Sequence, residues 1–373
     1  MRIPLSSPDI TQAEIEAVTA VLRSGRLSLG PKLQEFEAEI AAYCGVAHAV
    51  GVSSGTTGLH LCVRALGIRQ GDEVILPSFT FVAAANVLRY ERAVPVFVDI
   101  DRATLNLDPA LVEAAITPRT RALLIVHTFG VPAELNELCE IARRRNLIVI
   151  EDACEAIGGE YGGRKVGTFG EAGAFAFYPN KQITTAEGGM VVTNKAELSS
   201  RVRSLRNQGR GLDDEWLQHG EVGYNYRLSE LHCALGTEQL KRVDGILRRR
   251  EAIARGYHER LAKHPGLELP PLALPNRRIS WFVFVVRLRE SFGRAERDAL
   301  ARQLAVRGIE TACYFAPIHL QAAYRDLPAP RTRLSVTEYN GERTLALPFF
   351  NQITDSQVDE VCAALWELLP AES

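Results

Sequence analysis

The chain has 373 residues, 46% hydrophobic and 24% charged, a composition that excludes disorder and allows one large domain with a sizeable core plus a smaller one. Its 43 basic and 45 acidic residues leave a formal charge of -2, which gives no electrostatic footprint for nucleic acid or anionic lipid. The local basic runs Arg143, Arg144, Arg145 and Arg248, Arg249, Arg250 read as solvated helix faces.

The opening segment MRIPLSSPDITQAEIE lacks the apolar core of a secretion signal. No apolar run approaches the roughly 18 residues of a membrane span, so a soluble, cytoplasmic protein is expected. From about residue 49 to 193 short apolar runs alternate with helical patterns: AVGV before 56–66, EVILP before 80–90, PVFVDI, RALLIVH before 133–145, LIVIED, AFAFY and GGMVVT. That rhythm predicts an α/β fold whose mostly parallel sheet is covered on both faces, since LLIV and LIVI show no polar alternation. In such sheets ligands gather at the carboxyl ends of the strands. Residues 228–263 predict one long helical stretch, and the proline-rich LELPPLALP follows it. WFVFVVRL as a strand and helical patterns at 294–306 and 355–368 complete a smaller α+β C-terminal domain. The expected division is residues 1–245 and 246–373.

The seven cysteines are odd in number, scattered and never paired as CxxC, which suggests neither a disulfide framework nor a zinc site. Reduced thiols fit best. No metal site is expected from the histidines either.

Lysine is rare: Lys32, Lys165, Lys181, Lys195, Lys241 and Lys263 are all the chain has. Only Lys181, in AFAFYPNKQITTAEGGMVV, stands among aromatic and apolar residues. A partly apolar pocket disfavours the ammonium form and makes the amine available as a nucleophile toward an aldehyde. If that aldehyde is pyridoxal phosphate, the site also needs a carboxylate for the ring nitrogen and donors for the phosphate.

LIVIEDACEAIGG offers the carboxylate. Asp152 ends an apolar strand, where an acid is costly without a cationic partner; it is either that partner's acid, a helix N-cap or half of a structural ion pair. Its neighbour Glu151 points the other way if the strand continues. GVSSGTTGLHL places a hydroxyl-rich turn between a strand and a helix, either a phosphate seat on the helix N-terminus or a plain cap. It is neither an NTPase loop nor a dinucleotide site. Phe79 and Phe81 of SFTFVAAAN come after a strand and can stack on a flat ring or fill the core.

Phosphate turn, aromatic, carboxylate and lysine occur in an order that resembles the DegT family of pyridoxal-phosphate-dependent nucleotide-sugar aminotransferases, within the aspartate-aminotransferase fold type. GRLSLGPKLQEFE, GDEVILPSFTFVAAANV, EDACEAIGGEYGGRKVGTFGEAGAFAFYPNK, GYNYRLSELHCALG and YFAPIHLQAAY carry the likeness along nearly the whole chain. The resemblance implies that Lys181 is the Schiff-base lysine, that Asp152 pairs with the pyridinium and that Phe81 stacks on the ring. By the same likeness Ser54, Gly55 and Thr56 lie by the phosphate, and Glu155 takes a cofactor-side position where members carry Gln, His or Glu. It implies an obligate homodimer, with Asn225 reaching the neighbour's phosphate, and places His319 and Tyr314 at the sugar. His319 is otherwise a satisfied structural histidine, and His127, at the end of a strand, is a candidate to line the pocket.

The implied activity transfers an amino group from L-glutamate to a keto group of a nucleotide-linked deoxysugar. ITPRTRAL, NLDP and GYNYRLSE look most like members of the GDP-perosamine type acting at C-4, stretches shared with members acting at C-3. Members usually carry serine where this chain has Ala176, a hydroxyl worth roughly 1.5 to 3 kcal/mol at the phosphate. That departure is the one feature favouring the alternative, a non-catalytic regulatory or partner-binding protein of the same fold. A sugar dehydratase of the fold normally has histidine at the lysine position, so Lys181 argues against it.

Overall fold

The computed structural model describes residues 2–211 and 218–369. Its strands, in chain order, are β1 (His48–Val52), β2 (Glu73–Pro77), β3 (Val94–Val98), β4 (Thr120–Val126), β5 (Ile148–Asp152), β6 (Glu160–Tyr161), β7 (Arg164–Lys165), β8 (Ala172–Ala176), β9 (Gly189–Thr193), β10 (Leu267–Glu268), β11 (Arg277–Arg278), β12 (Phe284–Leu288) and β13 (Thr344–Leu347). Seven of them form the main sheet in the order β1-β9-β8-β5-β4-β2-β3. β3, β2, β4, β5 and β8 pair in parallel, and β9 runs antiparallel to both its neighbours.

Strand geometry alternates side chains between faces, and here both faces are apolar. On β4, Leu123 and Ile125 enter one core, with Phe36, Phe175 and Met190. Leu124 and Val126 enter another, with Leu59, Val74 and Leu76. The helices Gly55–Ala65, Ala83–Tyr90 and Leu135–Arg145 stand where the periodicity predicts them. The C-terminal part is a three-stranded sheet, β10-β12-β13, with the helices Arg294–Val306 and Asp355–Leu368. Ile3, from the other end of the chain, is buried in its core and bridges to Ile309.

Three expectations are corrected. The helical stretch 228–263 is two helices, Glu230–Lys241 and Val243–Leu261, broken at Arg242 with φ -104 and ψ -2. There the Arg242 guanidinium donates to the Asp9 carbonyl at 2.8 Å and to Glu14 at 2.9 Å, a tertiary pull that overrides helix propensity. The second helix runs unbroken through position 245. Within WFVFVVRL only Phe284–Leu288 is strand.

The third correction explains the second. Arg143, Arg144 and Arg145 are exposed, but Arg250 is 3% exposed, and burial lowers its pKa to about 10. Its guanidinium donates to the carbonyls of Trp281 at 2.7 Å and Phe282 at 2.8 Å and to Asn351 Oδ1 at 3.1 Å. Those carbonyls are thereby withdrawn from strand pairing. Arg250 is a buried clamp that sets the backbone of Phe282, a residue of the site below.

Candidate active site

The site begins at the carboxyl end of β1. Ser54, extended at φ -165, caps the helix Gly55–Ala65: its Oγ accepts from Thr57 N at 3.1 Å, and Thr57 Oγ1 accepts from Ser54 N at 2.9 Å. The Gly55 and Thr56 amides stand in the first turn, where no intrahelical acceptor exists. A Cβ on Gly55 would lie 2.6 Å from Ala176 Cβ and 2.8 Å from Cys154 Sγ, so only glycine fits. Gly189, at the start of β9, is held equally tightly against the Ser54 carbonyl, 2.4 Å from an added Cβ. The turn is thus clamped between two strands, with Ser54, Gly55 and Thr56 bordering the cavity described below.

β5 separates its two terminal acids by the alternation of the strand. Glu151 is fully buried and binds loop amides, accepting from Gly167 N at 2.7 Å and Gly170 N at 2.8 Å, and it meets His127 Nε2 at 3.1 Å. His127 Nδ1 accepts from Ala133 N at 3.1 Å, so this histidine belongs to the loop scaffold and does not border the cavity. Asp152 faces the other way, its Oδ1 accepting from Cys154 N at 3.1 Å. Burial pushes its carboxyl up, against the opposing pull of Cys154, Lys181 and His127.

Asp152 opens on a cavity of about 300 Å³ between the main sheet and the C-terminal part. Lys181 enters it from the turn after β8, where its backbone N–H donates to the Tyr178 carbonyl at 2.9 Å. Its Nζ lies 3.9 Å over the Phe282 ring and 3.6 Å from Glu155 Oε1. Glu155 Oε2 accepts from Phe129 N at 2.8 Å, and burial raises this carboxyl too, with Lys181 as the largest opposing influence. Among the described residues Lys181 is the one basic side chain bordering the cavity, with Asp152 and Glu155 on the same wall.

Ser54, Gly55 and Thr56 border this same cavity, as do Phe81 and Tyr314. Phe79 is fully buried in the core, whereas Phe81 is 58% exposed on the cavity rim. Burial raises the Tyr314 hydroxyl, with the Asn180 side chain pulling the other way. Two assigned residues lie outside the cavity lining. Asn225 is exposed on a segment bridged to Asn207. His319 is outside the cavity lining, with Nδ1 at 2.7 Å from Ser78 Oγ and Nε2 at 3.2 Å from Glu338, so both ring nitrogens are already engaged. Asn180, Phe282 and Phe315 also border the cavity, and the sequence reading passed over them. For Asn180 the signal was present, since it adjoins Lys181. Phe282 arrives from a hundred residues downstream.

These residues fit pyridoxal phosphate. The clamped helix N-terminus suits the phosphate, a buried acid raised by desolvation suits a cationic ring nitrogen, and a lysine amine in the same cavity suits the aldehyde. A parallel sheet carrying this set at its carboxyl edge defines a pyridoxal-phosphate-dependent transferase. The model of the DegT/DnrJ/EryC1/StrS aminotransferase family matches residues 8–366, and the chain belongs to that family.

Solved structures agree over the whole chain. DesV of S. venezuelae, determined in complex with a ketimine intermediate, is 40% identical, with 100% of each chain covered and a TM-score of 0.91. PseC of Helicobacter pylori, an aminotransferase involved in the biosynthesis of pseudoaminic acid, is 28% identical over 99% of each chain, TM-score 0.93. Spr1654 of Streptococcus pneumoniae, in its PLP form, is 27% identical over 99% of this chain and 100% of that one, TM-score 0.93. The protein is a pyridoxal-phosphate-dependent sugar aminotransferase of amino-sugar biosynthesis. Membership of the family, with Lys181 and Asp152 in one cavity, decides for the enzyme over the non-catalytic alternative.

Proposed function

We propose that the enzyme transfers the amino group of L-glutamate to the keto group of a nucleotide-linked deoxysugar, in the cytoplasm, as a homodimer with shared sites. The observation that carries this reading is that Lys181 and Asp152 open on the same cavity beside the N-terminus of the helix Gly55–Ala65. When bound, pyridoxal phosphate supplies the aldehyde that takes up the amino group and a ring that withdraws electrons from the donor's α-carbon. Asp152 holds the ring nitrogen in its protonated form. Ser54 and the amides of Gly55 and Thr56 hold the phosphate, and Phe81 covers the ring. Lys181 Nζ carries the proton that leaves the donor's α-carbon. Tyr314 faces the sugar, while His319, outside the cavity lining, is held by Ser78 and Glu338.

The homodimer reading draws support from two features. Donor and nucleotide are both anionic, yet among the described residues Lys181 is the one basic side chain on the cavity wall. An exposed apolar stripe, Ile10, Ile15, Leu22, Leu27 and Leu29, runs along the N-terminal segment, and Ile10 and Ile15 share a groove with Pro179, two residues from Lys181. In this reading a second copy covers the stripe and brings Asn225 to the phosphate. Residues 1–245 and 246–373 then form a large cofactor domain and a smaller one, joined through the helix Val243–Leu261. No helix among the described residues is long and apolar enough to cross a membrane.

The test is a half-reaction. Enzyme loaded with pyridoxamine phosphate is mixed with single nucleotide-linked keto sugars, and return of the visible absorbance band of the aldehyde form identifies the acceptor. Failure with every such sugar, alongside conversion of a keto acid, would place the acceptor outside this class.

Ala176 gives an independent prediction. Its Cβ faces Gly55 at the phosphate turn, so Ala176→Ser adds a hydroxyl beside the Gly55 and Thr56 amides. A charge-assisted hydrogen bond contributes roughly 1.5 to 3 kcal/mol, which is about ten- to a hundredfold in cofactor affinity. Titration of the cofactor-free protein should show Kd falling by about that factor. An unchanged Kd would mean that the hydroxyl does not reach the phosphate.

A further inference from the structure

We infer that Glu155 is the proton partner of Lys181, taking up the proton that the lysine must shed before its amine can act as a base. The inference rests on the proposed role of Lys181 as the cofactor-binding lysine.

Among the described residues three acids border the cavity, Asp152, Glu155 and Glu187. Asp152 is accounted for by the ring nitrogen and Glu187 is exposed; Glu155 is buried, and it is the acid paired with Lys181 Nζ. Its position is fixed from both ends. Oε2 accepts from Phe129 N at 2.8 Å, and Phe129 sits at φ 57, a left-handed conformation held by the turn Thr128–Gly130. That turn is anchored by the Ser280 N–H, which donates to the Gly130 carbonyl at 2.9 Å, and the backbones approach so closely that an added Cβ on Gly130 would meet the Ser280 carbonyl at 1.6 Å. At the backbone, Gln182 Nε2 donates to the Glu155 carbonyl at 2.6 Å and to Ser280 Oγ at 2.8 Å, and Gln182 is the residue after Lys181. The chain therefore ties Glu155 to the lysine through main-chain anchors, leaving Oε1 to face Nζ at 3.6 Å. The other titratable groups acting on Glu155 are Asp152, Cys154 and Tyr314, none of them cationic.

The step is balanced within the pair. An Nζ–H bond of the Lys181 ammonium breaks, an O–H bond forms at Glu155 Oε1, and a neutral amine faces a neutral carboxylic acid. Net charge is zero before and after, so a buried pair exchanges the proton without creating an isolated charge. Burial disfavours the carboxylate, which brings the two states closer in energy. While Lys181 is cationic, the negative charge on Glu155 stabilises it; once the lysine has to take the α-proton, the acid is ready to hold the surplus one.

Glu155→Gln separates this role from a structural one, because the amide oxygen still accepts from Phe129 N while the fixed charge is gone. Substrate-free holoenzyme is titrated by visible absorbance, and borohydride reduction with mass spectrometry locates the attached cofactor. The expected result is cofactor on Lys181 in wild type and variant, with the pH midpoint of the absorbance change lowered by about one unit or more, a tenfold loss of proton affinity. In cofactor-free protein at neutral pH, Lys181 should be acylated several-fold faster in the variant. Glu155→His, which also removes the fixed charge, replaces the glutamine variant if that one does not fold. Unchanged midpoint and acylation rate overturn the inference. Cofactor attached elsewhere in wild type overturns the lysine's role, and this inference with it.

Discussion

Lys181→Ala should lower transamination by about 10³-fold or more while leaving the protein folded. General acid–base catalysis by one positioned group is worth about 10²- to 10⁴-fold, and this side chain has in addition to hold the cofactor's aldehyde. The fold should survive because Lys181 contributes little to it. Its Nζ has an ion pair at 3.6 Å and a ring contact at 3.9 Å, and the turn that presents it is closed by the main chain, from Lys181 N to Tyr178 O. Loss of the cation leaves Asp152 and Glu155 without a cationic partner, and both are raised by burial, so they take up protons instead of forcing the cavity open. Rapid mixing of the variant with glutamate, monitored through the cofactor spectrum, reads the loss directly. Added small primary amines should restore part of the proton-transfer rate, since they fit the vacated space and supply the missing base. Wild-type turnover in this variant would sink the assignment of Lys181.

How far the site could be read in advance depended on how local its signals are. Lys181 stood out because lysine is rare and its flanks are apolar; Asp152 stood out because an acid ends an otherwise apolar strand. The turn at Ser54 announced itself through cap chemistry confined to four residues. Phe79 and Phe81 could not be told apart, because β2 ends at Pro77 and the residues beyond it no longer alternate as a strand; one ring turned into the core and the other to the cavity. His319 was undecidable because Ser78 and Glu338, its partners, lie far from it in sequence or on another helix. Arg250 is different, for its signal was present and overlooked. It falls in register with Val243, Ile246, Leu247, Ile253, Ala254 and Tyr257, the buried stripe of its helix, and a run of three arginines hid that one of them faced inward. The break at Arg242 had no such local mark, because its cause is the N-terminal segment some 230 residues away.

Asp152→Asn should lower turnover and, in the absence of cofactor, stabilise the protein. Asparagine keeps the size of the side chain and an oxygen to accept from Cys154 N, so the local hydrogen bond at 3.1 Å is retained and only the charge is lost. Without that charge the ring nitrogen is no longer held protonated, and its pull on electrons from the donor's α-carbon weakens. Removing one preorganised electrostatic group from an active site costs about 10²- to 10³-fold in rate, the loss expected here in kcat. The stability change has the opposite sign. Burial raises the Asp152 pKa above its unfolded value, so between the two pKa values the native state binds more protons than the unfolded one. Native stability therefore falls as pH rises through that window, and the whole penalty is present above the folded pKa. Asparagine carries no such penalty. The cofactor-free variant should have a higher Tm than cofactor-free wild type at neutral pH, with the gap narrowing as pH falls from the folded pKa toward the unfolded carboxylate range, where it closes. Bound cofactor should reverse the order, because its cationic ring nitrogen gives the wild-type carboxylate the partner that burial denies it. A variant that lost activity and was also less stable at neutral pH without cofactor would show that Asp152 is a structural acid after all.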